Sequence, residues 1–112
     1  MIPKILNDPM YQLLREGKVK DFNDRRALGD SVDLTNCDFR NVDLRGLDAK
    51  GLDLRGSYFR QADLRGVDLS EAQLEGASIN GAHISGTYFP QDLSPDEILL
   101  SFQHGTRMRY SS

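Results

Sequence analysis

A large apolar residue returns at every fifth position between Val32 and about Gln91, and this period constrains the fold more than any other feature of the chain. Twelve consecutive units follow the period, with a small residue only at Ala49. The central residues are Leu34, Phe39, Leu44, Ala49, Leu54, Phe59, Leu64, Leu69, Leu74, Ile79, Ile84 and Phe89. An α-helix repeats about every 3.6 residues and a strand about every 2, so a period of five matches neither element. The pattern therefore predicts that this segment coils.

The other positions of the unit have distinct characters. Two residues before each centre lies a smaller apolar or small residue, and we expect both sets to point inward. This second set is Val32, Cys37, Val42, Leu47, Leu52, Ser57, Ala62, Val67, Ala72, Ala77, Ala82 and Thr87. Glycine follows many centres by two positions, where it permits the positive φ of a tight turn. These glycines are Gly46, Gly51, Gly56, Gly66, Gly76, Gly81 and Gly86.

Aspartate dominates the position immediately before the centre. The chain contains 13 Asp against 4 Glu, although Asp is poor in helix interiors and depleted in strands. Seven of the 13 occupy this one position of the unit, namely Asp33, Asp38, Asp43, Asp48, Asp53, Asp63 and Asp68. We expect these carboxylates to face water in a regular outward column paired with arginine. The Asp excess is thus a property of the architecture.

The unit Ala62-Asp63-Leu64-Arg65-Gly66 resembles the pentapeptide-repeat family, whose units read as a small residue, Asp or Asn, Leu or Phe, and two variable positions. The resemblance covers about 60 of the 112 residues. It implies an all-β solenoid, a right-handed quadrilateral β-helix in which four pentads form one coil. Twelve pentads then give about three coils, and residues twenty apart, such as Leu34, Leu54 and Leu74, would stack.

The segment before the repeat contains signals for two short helices. Asp8 and Pro9 read as the N-cap and the first position of a helix that stops at Gly17. A second helix is predicted from about Val19 to Leu28 and ends at Gly29. An open coil stack exposes strand edges and core at its ends. We therefore expect both helices to cover the first coil.

The segment after the repeat contains one stronger helix signal. Ser94 is the predicted N-cap, Glu97 stands at the capping-box position, and the helix should run from Pro95 to about Gln103 before Gly105. Its apolar residues Ile98, Leu99 and Phe102 either seal the last coil or form a homodimer face, as the similar gyrase-protecting members of the family imply. The predicted division is an N-terminal helical cap at 1–30, a β-helix at 31–91, and a C-terminal capping helix with its tail at 92–112.

Few residues qualify for catalysis or metal binding. Cys37 is the single cysteine, so it cannot form an internal disulfide, and it falls in the small inward set, where a cysteine behaves as an inert apolar residue. His83 would stack over Asp63 and Asp43, which favours a surface ion pair over a metal site. Beyond His104 no other catalytic candidate appears, and no phosphate-binding loop or paired catalytic carboxylate is present. We expect no enzymatic activity, metal or cofactor.

The charged surface is the remaining source of function. The net charge of −3, without a run of one sign, predicts no polybasic face for nucleic acid or anionic lipid. Acidic and basic positions interleave along the repeat, and two tyrosines interrupt the Asp position as aromatic anchors. The candidate interaction surface comprises Asp43, Asp53, Asp63, Asp68, Arg45, Arg55, Arg60, Arg65, Tyr58 and Tyr88. The alternative is a solvated lattice of ion pairs that only limits aggregation.

Two functional hypotheses follow. The first is a non-enzymatic interaction or structural module that presents charged columns on a rigid β-helix to a protein partner, whose identity the sequence does not specify. The second, implied by the resemblance, is a mimic of duplex DNA that occupies a topoisomerase such as gyrase and protects it. A rod of about three coils is only about 15 Å tall, and its outward cations oppose mimicry.

We expect a cytoplasmic bacterial protein, with no segment long enough to span a membrane and no direct binding to nucleic acid.

Overall fold

The computed structural model describes residues 7–111; residues 1–6 of the predicted N-terminal cap and Ser112 lie outside this range. Two short helices, α1 (Pro9–Arg15) and α2 (Val19–Ala27), precede the repeat region and contact each other. A third helix, α3 (Pro95–His104), follows it. The three predicted helices are confirmed at these positions. Among the described residues, no helix has both the length and the apolar character needed to cross a membrane.

The helix ends follow the predicted capping chemistry. The Asp8 carboxylate accepts hydrogen bonds from the backbone N–H groups of Met10 at 2.8 Å and Tyr11 at 3.3 Å. The Ser94 hydroxyl accepts one from the N–H of Glu97 at 3.2 Å. Gly105 ends α3 in the left-handed conformation, with φ of 71°. The contacts of Asp8 and Ser94 satisfy donors that the first turn of a helix leaves without an intrahelical partner.

The repeat region consists of layers twenty residues long. Parallel β-bridges join Asp43 to Asp63 and Asp63 to His83, and backbone hydrogen bonds join the same layers, as from the N–H of Leu44 to the carbonyl of Asp63 at 2.9 Å. These bridges confirm that residues twenty apart stack. The three layers are 32–51, 52–71 and 72–91.

Stacked units form four columns, each named here after a residue of its middle unit. They are the Asp53 column (32–36, 52–56 and 72–76), the Tyr58 column (37–41, 57–61 and 77–81), the Asp63 column (42–46, 62–66 and 82–86) and the Asp68 column (47–51, 67–71 and 87–91). Every column contains at least one of the parallel bridges. Helices α1 and α2 bind the first layer, and α3 binds the last layer.

The predicted all-β solenoid is only partly visible in the secondary structure. Within residues 7–111 the extended backbone forms isolated bridges, whereas the regular elements are the three helices. A turn interrupts the chain after nearly every centre, so each unit has room for about one paired residue and no ladder grows into a long strand. The period of five is therefore incompatible with strands of ordinary length.

The inward positions form one core. In the middle layer, both predicted inward sets are buried from Leu52 to Leu69. Partial exposure occurs in the outer layers, at Val32, Ile84, Thr87 and Phe89. Tyr11 extends the core from α1: its ring lies 5.5 Å from that of Phe39, which stacks on Phe59 at 5.3 Å. The first helix is thus continuous with the interior of the repeat.

The turn positions adopt the predicted left-handed conformation. Gly56 has φ of 72°, and a Cβ built there would lie 2.1 Å from the Asn36 side-chain oxygen. Three polar residues occupy the same phase with positive φ, namely Asn36, Asn41 and Gln61. Asparagine tolerates this region better than most residues with a side chain. The corner conformation therefore recurs at this position of the unit, where glycine is the commonest occupant and Glu71 is an exception.

Candidate interaction surface

The aspartate before each centre forms a local turn with the residue two positions later. The Asp63 Oδ1 atom accepts a hydrogen bond from the backbone N–H of Arg65 at 3.1 Å, and Asp68 binds that of Ser70 at 2.9 Å. This is the geometry of an Asx turn, which depends on the short side chain of Asp or Asn. The turn explains why the unit selects Asp and excludes the longer Glu.

Where arginine stands two residues after the aspartate, its guanidinium folds back onto the same carboxylate. Arg65 donates from Nε to Oδ1 of Asp63 at 2.9 Å and from Nη2 to Oδ2 at 2.6 Å. The same paired geometry recurs in Asp38–Arg40, Asp43–Arg45 and Asp53–Arg55. Bidentate pairs of this kind are stronger and more directional than a single charge contact.

These contacts shift the acidity of the carboxyls. Hydrogen bonds from the paired arginine lower the pKa of Asp38, Asp43 and Asp53. The pKa of Asp63 falls to about 2 because Arg65 binds the carboxylate and Arg45 of the preceding layer adds a second positive charge. The Arg45 Nε atom lies 3.3 Å from Asp63 Oδ2. The ion pairs thus also link neighbouring layers.

One outward aspartate departs from the prediction that the whole set faces water. Only 3% of the Asp38 side chain is exposed. The carbonyl of Asp38 accepts hydrogen bonds from the Tyr11 hydroxyl at 2.5 Å and from Arg15 at 3.3 Å. Helix α1 covers this position, and the repeat pattern does not indicate which outward residue lies beneath the cap.

The predicted interaction residues are distributed over all four columns. Four of them meet in the Asp63 column, namely Asp43, Arg45, Asp63 and Arg65. The others lie in three separate columns: Asp53 and Arg55 in the Asp53 column, Tyr58 and Arg60 in the Tyr58 column, and Asp68 and Tyr88 in the Asp68 column. Tyr88 is 66% exposed. No single side of the repeat carries the whole predicted set.

The Tyr58 column contains contacts that sequence reasoning missed. Arg107, in the tail after α3, places its guanidinium 5.1 Å from the centre of the Tyr58 ring and donates a hydrogen bond to the Tyr58 hydroxyl. His104 lies beside Arg60 at the wall of a neighbouring cleft. The only available signal was the cluster of basic residues after Gly105, because the path of the tail across the layers is a tertiary property.

The apolar residues of α3 divide between two directions. Ile98 and Phe102 are partly buried and pack against the core. Leu99 is 52% exposed and Leu100 39% exposed, so both face away from the repeat. Of the three residues predicted to form a cap or dimer face, Ile98 and Phe102 therefore cover the core, and Leu99 faces outward. Leu100, which was not in the predicted set, also faces outward.

The candidate catalytic residues do not converge. Cys37 is buried, and its sulfur lies 3.5 Å from the carbonyl oxygen of Thr35. His83 stacks on Asp63 in the Asp63 column, and His104 lies at the end of α3. Among residues 7–111 no cluster of three or more His, Cys, Asp or Glu side chains could hold a metal ion.

Comparison with known proteins identifies the repeat. The family model described as pentapeptide repeats matches residues 30–61 and 53–89 and recognises eight copies of the unit. These two segments together cover more than half of the chain. The searches of curated proteins and of solved structures gave no significant match.

Proposed function

This chain belongs to the pentapeptide-repeat family, and from that premise we propose that it is a non-enzymatic module that binds a protein partner through the side of a rigid repeat. Membership indicates a structural or interaction role and implies a right-handed β-helix. Our proposal adds that the three layers wind as a right-handed, four-sided β-helix at 31–91. The flanking parts, 1–30 and 92–112, act as its caps.

The observation that carries the proposal is the ordering of the outward guanidinium groups. Arg45, Arg55 and Arg65 are each held by two hydrogen bonds to a carboxylate whose own position is set by the backbone. A guanidinium has five N–H donors, so such a pair leaves further donors for a partner. Binding usually costs the ordering of long side chains. Here the fold has already restricted them, which favours recognition by these columns over a purely solubilising role.

The DNA-mimic alternative fits the same surface less well. A mimic of duplex DNA needs rows of carboxylates that remain available to a cationic enzyme surface. In the Asp63 column, both Asp43 and Asp63 are already bound by arginine. We therefore retain topoisomerase protection only as the alternative function, and absence of gyrase inhibition at a large molar excess in a supercoiling assay excludes it.

A homodimer through α3 is a separate part of the proposal. Leu99 and Leu100 form an apolar surface at the C-terminal end of the molecule, and packing two copies of it together would remove both from water. Light scattering at high micromolar concentration should give a dimer mass for the wild type and a monomer mass for Leu99→Asp. A monomer mass for the wild type would refute the dimer.

Affinity capture from the native cell tests the main proposal. The wild type is compared with a variant in which Arg55, Arg60 and Arg65 are replaced by Glu, and with a control in which Lys18, Lys20 and Arg25 of the cap are replaced by Glu. Both variants change the net charge equally, and circular dichroism must show that both fold. We expect a partner that binds the wild type and the cap variant but not the repeat variant.

Loss of binding in both variants would indicate general electrostatics, and equal retention in both would show that the charged columns are not the binding surface. Direct titration of the captured partner, purified separately, must reproduce the difference. We also propose a cytoplasmic location in a bacterial cell, which fractionation of the native cells tests.

A further inference from the structure

The Tyr58 column differs in charge from the other three. Its outward positions hold two arginines, Arg40 and Arg60, against the single carboxylate of Asp38. In the Asp63 column two arginines face two aspartates, and in the remaining two columns carboxylates outnumber cations. The column thus carries the only local excess of positive charge among the four, although the chain as a whole has a net charge of −3.

The single carboxylate of this column is withdrawn from solvent. Only 3% of the Asp38 side chain is exposed, whereas half of its partner Arg40 is exposed. Tyr58 and Ser78 occupy the positions stacked on Asp38, where other columns often carry an acid. The outer surface therefore presents arginine without an accompanying accessible carboxylate.

Arg60 is the most available cation of the column. It is exposed, and its guanidinium forms no hydrogen bond or ion pair with any residue between 7 and 111. The other arginines that follow repeat centres, such as Arg45 and Arg55, bind the aspartate two positions earlier. At Arg60 that position is Tyr58, so the intramolecular partner has been replaced by an aromatic ring.

These residues line one concave site, which we call the basic cleft. Its volume is about 310 Å³, and its wall includes Arg40, Tyr58, Arg60, Ser78, Asn80 and His104. Arg107 adjoins it through its contact with the Tyr58 ring. The cleft is thus assembled from the Tyr58 column together with the end of α3 and the tail. Residues 49 positions apart meet in the Arg107–Tyr58 hydrogen bond.

We propose that the basic cleft binds a short acidic segment of a protein partner, with Arg60 and Arg40 contacting its carboxylates and Tyr58 packing against its backbone. This inference rests on the proposed function and adds to the paired arginines of the other columns a cleft whose Arg60 has no aspartate two positions earlier. Arginine binds carboxylates through a planar, bidentate geometry. Arginine and tyrosine are also the residue types most enriched among the dominant contacts of protein interfaces.

The size and surroundings of the cleft favour a short peptide over a nucleic acid. Two stacked arginines from adjacent layers are separated by about 5 Å, which suits carboxylates on one peptide segment. The neighbouring Asp53 column carries Asp33, Asp53 and Glu75 against Arg55 alone. A long polyanion that extended beyond the cleft would meet these carboxylates and be repelled.

Titration with a defined acidic peptide tests the inference. The probe is a fluorescein-labelled peptide of six glutamates, compared with one of six glutamines, and binding is followed by fluorescence anisotropy. We expect saturable binding of the acidic peptide only. Arg60→Glu should weaken it by about tenfold or more, since it replaces an attractive contact by a repulsive one. The matched control Lys50→Glu, an exposed position in the Asp68 column that changes the net charge equally, should weaken it by less than about twofold.

Nuclear magnetic resonance then locates the peptide. Amide shifts should concentrate at Tyr58, Arg60 and Ser78 and be absent from the Asp63 column. Equal weakening by the two variants, absence of saturation, or shifts spread over all columns would overturn the proposal. Displacement of the peptide by inorganic phosphate at a concentration at which acetate has no effect would assign the cleft to a phosphate group and refute the acidic protein partner.

The outcome is separable from the test of the proposed function. If the peptide does not bind but affinity capture distinguishes the repeat variant from the cap variant, only the assignment to the cleft is wrong. If the peptide binds with the expected effect of Arg60→Glu but capture reveals no partner that depends on the columns, the cleft is retained and the wider role of the columns is refuted.

Discussion

The two ends of the repeat are both covered by helices, yet the covering residues supply opposite hydrogen-bonding groups. At the first layer, side-chain donors predominate: Arg15 binds the carbonyl of Arg40 at 3.1 Å, and Arg26 binds those of Asp48 at 3.1 Å and Lys50 at 2.5 Å. At the last layer, acceptors predominate. The hydroxyls of Tyr110 and Ser101 accept hydrogen bonds from the backbone N–H groups of Leu74 and Ile79. The backbone carbonyls of Met108 and Phe102 accept from those of Gly76 and Gly81.

The difference follows from the direction of the hydrogen bonds between layers. Between the first two layers of the Tyr58 column, the N–H groups of Phe39 and Asn41 donate forward to the middle layer, whereas that of Tyr58 donates backward, to the carbonyl of Cys37. The first layer therefore leaves a surplus of carbonyls at its open edge, and the last layer leaves a surplus of N–H groups. Each cap has to match its own edge, so the two caps cannot be exchanged.

The largest expected effect comes from removing the buried side chain that anchors each cap. Tyr11 and Met108 are both fully buried. We expect Tyr11→Ala to lower the free energy of unfolding by about 4 kcal/mol and Met108→Ala by about 3 kcal/mol, because each leaves a cavity and Tyr11 is the larger side chain. Guanidinium denaturation followed by circular dichroism measures both. A larger loss from Met108→Ala would show that the C-terminal cap contributes more to stability than its side-chain packing indicates.

A second variant at the first end separates packing from hydrogen bonding. Tyr11→Phe keeps the ring on Phe39 but removes the hydroxyl that donates to the carbonyl of Asp38. Burial raises the pKa of Tyr11 to about 12, so the hydroxyl remains a donor at neutral pH. The loss should be about 1 kcal/mol. If Tyr11→Phe costs as much as Tyr11→Ala, packing on Phe39 does not anchor the cap.

The second expected effect compares a buried acceptor at one end with an exposed partner at the other. Ser101 is buried and accepts from the N–H of Ile79 at 3.0 Å. Ser101→Ala leaves that N–H without a partner and should cost about 2 kcal/mol. Asn23 binds the carbonyl of Gly46 at 2.9 Å in an exposed position, where water can replace it, so Asn23→Ala should cost less than about 1 kcal/mol. If both variants lose a similar free energy of unfolding in the same denaturation experiment, burial of the hydrogen bond at Ser101 does not make it more important than the exposed one at Asn23.

Much of the fold follows from sequence because the informative residues repeat. The period of five, the inward centres from Leu34 to Phe89 and the helix caps at Asp8 and Ser94 are local patterns, and the structure contains each of them. The contents of the basic cleft are not local. The two arginines after Gly105 are the only local signal, and they do not indicate that the tail returns to Tyr58.

The polarity of the two ends was equally hidden from sequence reasoning. Backbone groups carry it, and their direction depends on how layers pair. The burial of Asp38 beneath α1 has the same origin, since Asp38 occupies the same position of the unit as the exposed Asp33 and Asp43. The sequence therefore predicts the columns, whereas the differences between individual columns depend on how the caps pack against them.

A smaller expected effect tests whether cationic donors are needed at the carbonyl-rich end. Arg26→Met keeps much of the apolar stem but removes both hydrogen bonds to the first layer, and it should cost about 1 kcal/mol. Arg25, its neighbour in α2, instead pairs with the exposed Asp30 at 2.9 Å. Arg25→Met should therefore change the free energy of unfolding by less than about 0.5 kcal/mol. Equal effects would indicate that both arginines contribute only general charge.

The smallest expected effect lies between the two ends, where ion pairs between carboxylates and arginines add to the backbone hydrogen bonds that join the layers. The pKa of Asp63 is about 2 in the folded protein because of Arg65 and Arg45, against about 3.9 in an unfolded chain. The folded state therefore binds this proton less readily, so Asp63 stabilises it above about pH 4 and loses that contribution as the pH falls toward 2. Asp63→Asn should make the urea midpoint less dependent on pH across this interval.

The matched control is Asp21→Asn on the exposed side of α2, which changes the net charge equally and removes none of the ion pairs between layers. Asp43 and Asp53 are also paired with arginine, and their lowered pKa values should leave Asp63→Asn with part of the acid sensitivity. An unchanged pH dependence in Asp63→Asn would mean that the ion pairs of Asp63 with Arg65 and Arg45 do not stabilise the folded protein. The joining of these layers would then rest on their backbone hydrogen bonds.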